Sequence, residues 1–331
     1  MTSLFASILW NVSPILADIG PLTLRWYGLF FMSGFVVGTY VLTHIYRSER
    51  VSPRWVDVIT IYMLVGTIVG ARLGHCLFYD PQYYLAHPLE ILKIWQGGLA
   101  SHGATIGILF ACWLFARNNK FDYLWVLDRI VIVVGIGGAL IRTGNLMNSE
   151  IVGRPTNVPW GVTFVRDSDH WVSPAKGREL SGNAVVVSRV VGSDGTYDYQ
   201  TSPVTPETDP SAKVAVPRHA TQVYEALFCV VLVALLYGIW NRYKERTPRG
   251  LIFGLFVVLL FTQRFLGEFL KEDQGEWDQK MMAMTGLNLG QLLSIPLVLI
   301  GIWVLLRAGK NPANPHGYAP RDLGLEEAEA A

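Results

Sequence analysis

Long apolar runs broken by short polar loops dominate the chain. A helix needs about 20 mostly apolar residues to cross the hydrocarbon of a bilayer. Seven stretches meet or approach that length: Trp26–Tyr46, Val58–Tyr79, Leu99–Phe115, Leu127–Met147, Tyr224–Trp240, Leu251–Leu270 and Leu287–Leu306. The spacing predicts seven transmembrane helices, the first four over 26–150 and the last three over 219–306. Residues 1–25 hold only the brief apolar stretch Leu4–Trp10, carry Asp18 and lack a basic leader, so they read as an interfacial segment and not as a cleaved signal peptide. Between the fourth and fifth runs the pattern changes. Gly161–Arg166, Ala184–Val191 and Thr196–Gln200 are strand-like pieces separated by Gly, Ser, Asp and Pro, which predicts a small β-rich head over 151–218. No solenoid-length repeat appears and no two halves look alike, which disfavours an inverted-repeat transporter. The tail over 307–331 is rich in Pro and acidic residues from Asn311 onward and reads as disordered.

Composition agrees with this division. The chain has 331 residues, 51% of them apolar and only 16% charged, with a mean hydropathy of +0.32. Soluble domains are roughly 25% charged, so a soluble enzyme and a disordered protein are both disfavoured. Lys and Arg number 27 against 26 Asp and Glu, which leaves no basic footprint for a nucleic-acid partner. Cys76, Cys112 and Cys229 sit within apolar runs without C-x-x-C spacing, as small buried hydrophobes do.

Loop charge gives an orientation. Arg47, Arg50 and Arg54, then Arg117 and Lys120, then Arg242, Lys244, Arg246 and Arg249, and finally Arg307, Lys310 and Arg321 all fall on one side. Arg25, Lys93, Lys271 and Lys280 fall on the other. The sequence therefore predicts an all-α polytopic membrane protein with its N-terminus outside, its C-terminus in the cytoplasm and an extracytoplasmic head.

Ionisable residues inside spans are costly, about 2.5–3.5 kcal/mol each on insertion scales, and usually face a polar cavity. The candidates are Arg72 and His75, His102, Arg142 with Asn145, and Arg264 with Glu268. In the predicted orientation they share one depth near the outer leaflet, together with Tyr27. Arg142, Asn145 and Ser149 are spaced to share a helical face, as are Arg264 and Glu268. Glycines crowd the same regions, among them Gly97, Gly98, Gly103, Gly107 and Gly144. The blander readings are a structural Arg264–Glu268 pair, an Arg72 that snorkels to head groups, a packed His75 and a Tyr27 in an aromatic belt. Guanidinium groups bind phosphate in bidentate fashion and stay charged, so an arginine-lined outer cavity in a bilayer suits a phospholipid head group.

Three motifs narrow the function. Gly97-Gly98-Leu99-Ala100-Ser101-His102-Gly103, the run from Arg142 through Asn145 and Glu150 to Gly153 and Arg154, and Arg218-His219-Ala220-Thr221-Gln222-Val223-Tyr224-Glu225 resemble the signatures of bacterial prolipoprotein diacylglyceryl transferases. Arg25-Trp26-Tyr27-Gly28 and Arg264-Phe265-Leu266-Gly267-Glu268 fit as well. Ala104, Ile141, Ala220 and Leu260 depart from the usual residues of that family. The resemblance implies an inner-membrane enzyme that moves the sn-1,2-diacylglyceryl group of phosphatidylglycerol to the lipobox cysteine of a preprolipoprotein signal peptide, releasing glycerol 1-phosphate. It implies His102, Arg142, Arg264, Asn145 and Tyr27 as catalytic residues. Arg142, Asn145, Glu150, Gly153, Gly98, Arg72 and Glu268 are implied for phosphatidylglycerol. Glu150 and Glu268 are expected to hold the arginines, and no metal or cofactor is expected.

The rivals fit less well. A lipid-phosphate-binding transporter wants ionisable groups through the whole depth of the membrane, and the inner halves of the spans read as apolar. An intramembrane serine protease wants a serine facing a histidine, whereas Ser101 and His102 are neighbours that point apart on a helix. A membrane scaffold needs no buried charge.

Overall fold

The computed structural model describes residues 7–20, 22–94, 97–191, 197–272 and 276–310. The tail from Asn311, part of Leu4–Trp10 and Thr196 lie outside the described residues. In chain order, β1 (Ile8–Trp10), β2 (Ile15–Ile19) and β3 (Leu22–Arg25) precede α1 (Trp26–Ser48), α2 (Arg54–Phe78), α3 (Pro81–Ala86), α4 (Ser101–Asn118) and α5 (Tyr123–Met147). Then come β4 (Val162–Phe164), α6 (Pro174–Leu180), β5 (Val185–Val191), β6 (Tyr197–Pro203) and β7 (Lys213–Ala215). The chain continues through α7 (Thr221–Tyr243), α8 (Leu251–Gly267), α9 (Glu276–Thr285) and α10 (Leu289–Ala308).

Every expected span coincides with a helix. Among the described residues, α1, α2, α5, α7 with its following turn, and α10 are long and apolar enough to cross a membrane, and α8 is apolar but shorter. This is the mostly helical architecture of a polytopic membrane protein. The third expected span, α4, is not among the five: its 18 residues open on Ser101-His102-Gly103-Ala104-Thr105, and those small and polar residues dilute its apolar character.

Among the described residues the chain forms two compact units. The first lies within Met1–Gly34, Gly135–Leu232 and Val258–Leu299, and the second within Phe35–Val134, Val233–Val257 and Ile300–Ala331.

In the first unit, the strand-like pieces read from sequence appear as β4, β5 and β6, joined by β7 and α6, which the polar pattern did not reveal. β5 is the centre of a three-stranded antiparallel sheet of order β6-β5-β7, with Val187 paired to Thr201 on one side and Lys213 on the other. Buried Ala184, Val214 and Val216 pack with Val172, Leu180 and Val186 beneath it. β1 pairs in parallel with β4, Leu9 opposite Thr163. The Trp10 indole donates to the Leu146 carbonyl at 3.0 Å, so the N-terminal segment is fastened at the end of α5.

In the second unit, α2 and α4 pack through small residues. Gly66, Gly70 and Gly74 recur every fourth residue on α2, and Gly103, Gly107 and Ala111 do so on α4. A Cβ added at Gly70 would stand 2.8 Å from the Gly107 Cα, and one at Gly74 would stand 2.6 Å from the Gly103 Cα. Only hydrogen-sized side chains permit this approach, the device that helices use in membranes, where the hydrophobic effect offers little drive to associate.

The second unit also corrects an expectation. The halves of the spans away from the expected cavity read as apolar, yet Asp128 and Arg129 stand in the first turns of α5 and Glu49 follows α1, all three buried. Arg129 donates from Nη2 to both Glu49 oxygens at 2.8 Å. The Trp125 and Trp240 indoles donate to the same carboxylate at 3.1 and 2.6 Å. Asp128 accepts the backbone N–H groups of Gly250 and Phe253, both at 2.8 Å, an anion at the start of α8 where the helix dipole favours it. These charges are satisfied by partners inside the protein.

Candidate active site

In the first unit the site is built where α5 ends. α5 closes with a backbone bond from Glu150 N–H to the Asn145 carbonyl at 3.0 Å and one from Ser149 N–H to the Leu146 carbonyl at 3.1 Å. Ser149 has φ +56. This is the left-handed C-terminal stop at which glycine is usual. It turns Ser149 off the helix, so Ser149 does not continue the face of Arg142 and Asn145 as its spacing predicted. The Ser149 Oγ is buried, with no hydrogen-bond partner among the described residues. The start of α7 holds the loop: Thr221 Oγ1 donates to the Ile151 carbonyl at 2.7 Å, and Gln222 donates to the Glu150 carbonyl.

Arg142 lies among these groups. Its Nε stands 2.6 Å from Glu225 Oε2, and its Nη1 donates to Asn145 Oδ1 at 3.3 Å. Asn145 Nδ2 in turn donates to Glu150 Oε2 at 3.3 Å, and Asn148 Nδ2 donates to Glu150 Oε1 at 3.1 Å. The carboxylate holding Arg142 is therefore Glu225, where Glu150 was expected, and Glu150 holds the two asparagines. Tyr27 lies against Gly144, where a Cβ would stand 2.9 Å from the tyrosine ring. Gly153 is hemmed in by His219 and Leu270, with 2.7 Å left for a Cβ, and its N–H donates to the His219 carbonyl at 2.9 Å.

Charge continues along the C-terminal end of α8. Lys271 Nζ stands 2.7 Å from Glu225 Oε1 and 3.5 Å from Glu268 Oε1. Asn288 Nδ2 donates to Glu268 Oε2 at 3.1 Å. Arg264 is the loosest member, 4.0 Å from Glu268 and with its side chain 45% exposed, so its guanidinium is the more available of the two expected arginines. The result is a cationic row of Arg142, Lys271 and Arg264 spaced by Glu225 and Glu268.

The second unit holds the remaining candidates. Arg72 is buried. It donates to the carbonyls of Ile91 at 2.9 Å, Glu90 at 2.6 Å, Gly97 at 2.8 Å and Gly98 at 3.3 Å. At most one of its five N–H groups is left for a ligand, so the expected phosphate role meets a residue already engaged in bracing a loop. Gly98 has φ +71, a conformation that side chains resist, and a Cβ there would press on His75 at 2.6 Å. The His102 ring meets Phe78 edge-on at 5.0 Å and stacks on Tyr79 at 5.9 Å. Arg142, Asn145, Tyr27, Glu150, Gly153, Arg264 and Glu268 thus belong to the first unit, and His102, Arg72 and Gly98 to the second.

Beyond the membrane helices, two histidines respond to their surroundings. The Asp167 carboxylate, 2.8 Å from His170 Nδ1, holds the His170 pKa above its ordinary value, against the opposing effect of burial. Burial pushes His219 down.

Comparison with known proteins decides the family. Residues 14–307 match the prolipoprotein diacylglyceryl transferase family. The chain belongs to this family. It is similar to a phosphatidylglycerol–prolipoprotein diacylglyceryl transferase of Porphyromonas gingivalis, 42% identical over 310 residues that cover 93% of this chain and 96% of the relative. A protein of the same name from Tolumonas auensis is 38% identical, covering 92% and 99%. Another from Chloroherpeton thalassium is 36% identical, covering 92% and 95%.

Within this member of the prolipoprotein diacylglyceryl transferase family, two site residues went unassigned from sequence. Glu225 closes the third quoted motif, and Lys271 lies one turn beyond Glu268. The available signal was spacing: Lys271 follows Glu268 by three residues in the segment just after α8. No local signal pairs Glu225 with Arg142, because that contact joins two separate helices.

Proposed function

We propose that the chain transfers the diacylglyceryl group of phosphatidylglycerol to the lipobox cysteine of a preprolipoprotein, forming a thioether and releasing glycerol 1-phosphate. The observation that carries this reading is the family match over residues 14–307. The chemistry of the side chains supports it. A free thiol has a pKa of about 8.5 and is a weak nucleophile until it loses its proton. His102 takes that proton, the sulfur forms its bond to the glyceryl carbon, and the carbon–oxygen bond to phosphate breaks. Arg142 and Arg264 bind the phosphate and stabilise the charge it carries away. Asn145 and Tyr27 orient head-group oxygens, Glu150, Gly153 and Glu268 shape their surroundings, and Gly98 contributes to binding phosphatidylglycerol. Glu225 and Lys271 join this set by fixing Arg142 and Glu268.

In this reading α4 and α8 cross the bilayer with the five longer helices, which makes seven spans with the N-terminus outside. The enzyme lies in the cytoplasmic membrane, its reacting groups face the outer leaflet, and residues 151–218 form a head that helps to admit the signal peptide. The test is to incubate the purified chain with phosphatidylglycerol and a lipobox peptide. The expected result is a diacylglyceryl mass on the cysteine with release of glycerol phosphate. Absence of transfer by a folded sample overturns the reading.

A further inference from the structure

Tyr79, the residue after α2, stacks with two imidazoles. His75 stacks on it with ring centres 5.3 Å apart and planes 20° apart. His102 stacks on it at 5.9 Å and 28°. A general base normally has its ring held by a hydrogen bond from its second nitrogen. Among the described residues His102 makes no side-chain hydrogen bond, and its ring is held by aromatic contacts alone. The stack has a firm foundation. Gly98 sits against His75, and the Arg72 guanidinium grips the carbonyls of Gly97 and Gly98. The α2–α4 glycine contact fixes the two backbones that carry the rings. Offset stacking at such separations constrains ring planes and contributes stabilisation.

We propose that Tyr79 is a positioning residue for His102, its ring setting the imidazole plane, with His75 stacked on Tyr79 and Arg72 bracing the Gly97–Gly98 loop beside His75. The proposal rests on the reading of His102 as the base. It makes Arg72 part of the support of that base instead of a phosphate ligand. Precise placement matters because a misplacement of about 1 Å at a reacting group costs about 10²-fold in rate.

The test measures kcat and KM for transfer from phosphatidylglycerol to a lipobox peptide by the purified full chain. Tyr79→Leu is expected to lower kcat by about 10-fold or more, with KM for both substrates within about 2-fold. Tyr79→Phe, which keeps the ring, is expected to restore kcat to within about 3-fold of the parent. Normal kcat in Tyr79→Leu beside an inactive His102→Ala overturns the proposal and leaves the base assignment standing. An active His102→Ala removes the base assignment itself. If Tyr79→Leu does not fold, His75→Leu decides: a fall in kcat at constant KM supports the stack, and unchanged kcat rejects it.

Discussion

Arg142 on α5 and Glu225 on α7 meet at 2.6 Å, and the other Glu225 oxygen lies 2.7 Å from Lys271. One carboxylate thus ties a cation of α5 to one in the segment that follows α8. Glu225→Gln removes the charge while keeping the volume and leaves both cations short of a partner. Breaking a buried pair from one side costs about 3–5 kcal/mol, and the partial exposure of Arg142 places the expected loss near the lower end. The unfolding midpoint in detergent is expected to fall. An unchanged midpoint would show that the pair contributes nothing to stability.

His102→Ala and Arg142→Ala are each expected to reduce turnover by at least ~10²-fold, the usual worth of a general base or of a charge that stabilises a leaving group. Steady-state rates on phosphatidylglycerol vesicles with a lipobox peptide check this. Near-normal rates in both variants would overturn the roles without touching the family.

The glycine contact between α2 and α4 predicts a contrast. Gly70→Ala places a methyl group 2.8 Å from the Gly107 Cα and is expected to destabilise by about 1–3 kcal/mol, as overpacking does. Gly238→Ala, in open space on α7, is expected to be neutral or to gain up to about 1 kcal/mol from helix propensity. Thermal unfolding of both variants is the measurement, and equal midpoints would refute tight packing at Gly70.

Arg129→Leu leaves the buried Glu49 carboxylate without its guanidinium partner. The expected cost is about 3–5 kcal/mol, seen as a lower unfolding midpoint or poor recovery of folded protein. The double variant Arg129→Leu with Glu49→Leu is expected to recover most of the loss. If the double variant is the less stable of the two, uncompensated charge is not the cause.

His170 gives a pH dependence. Its pKa is raised in the folded chain by Asp167, so protonation stabilises the fold. The contribution is complete below the unfolded value of about 6.5 and is lost as pH rises through the higher folded value. The stability difference between the parent and His170→Gln is therefore expected to be largest below about pH 6.5 and to shrink as pH rises through the higher folded value. A difference that grows with pH would reverse the assignment.

The positions of the helices were legible in the sequence because the signal is local. The length of an apolar run and the polar residues at its ends decide a helix without reference to the rest of the chain. The motifs around His102, Arg142 and Glu268 were legible for the same reason. Partners were not. That Glu225 and not Glu150 holds Arg142, that Arg72 braces a loop, and that Glu49, Asp128 and Arg129 are buried and paired, all depend on segments apart in the chain. A charged side chain takes the partner that packing brings within a few ångströms, and the distance along the sequence says nothing about which one that is.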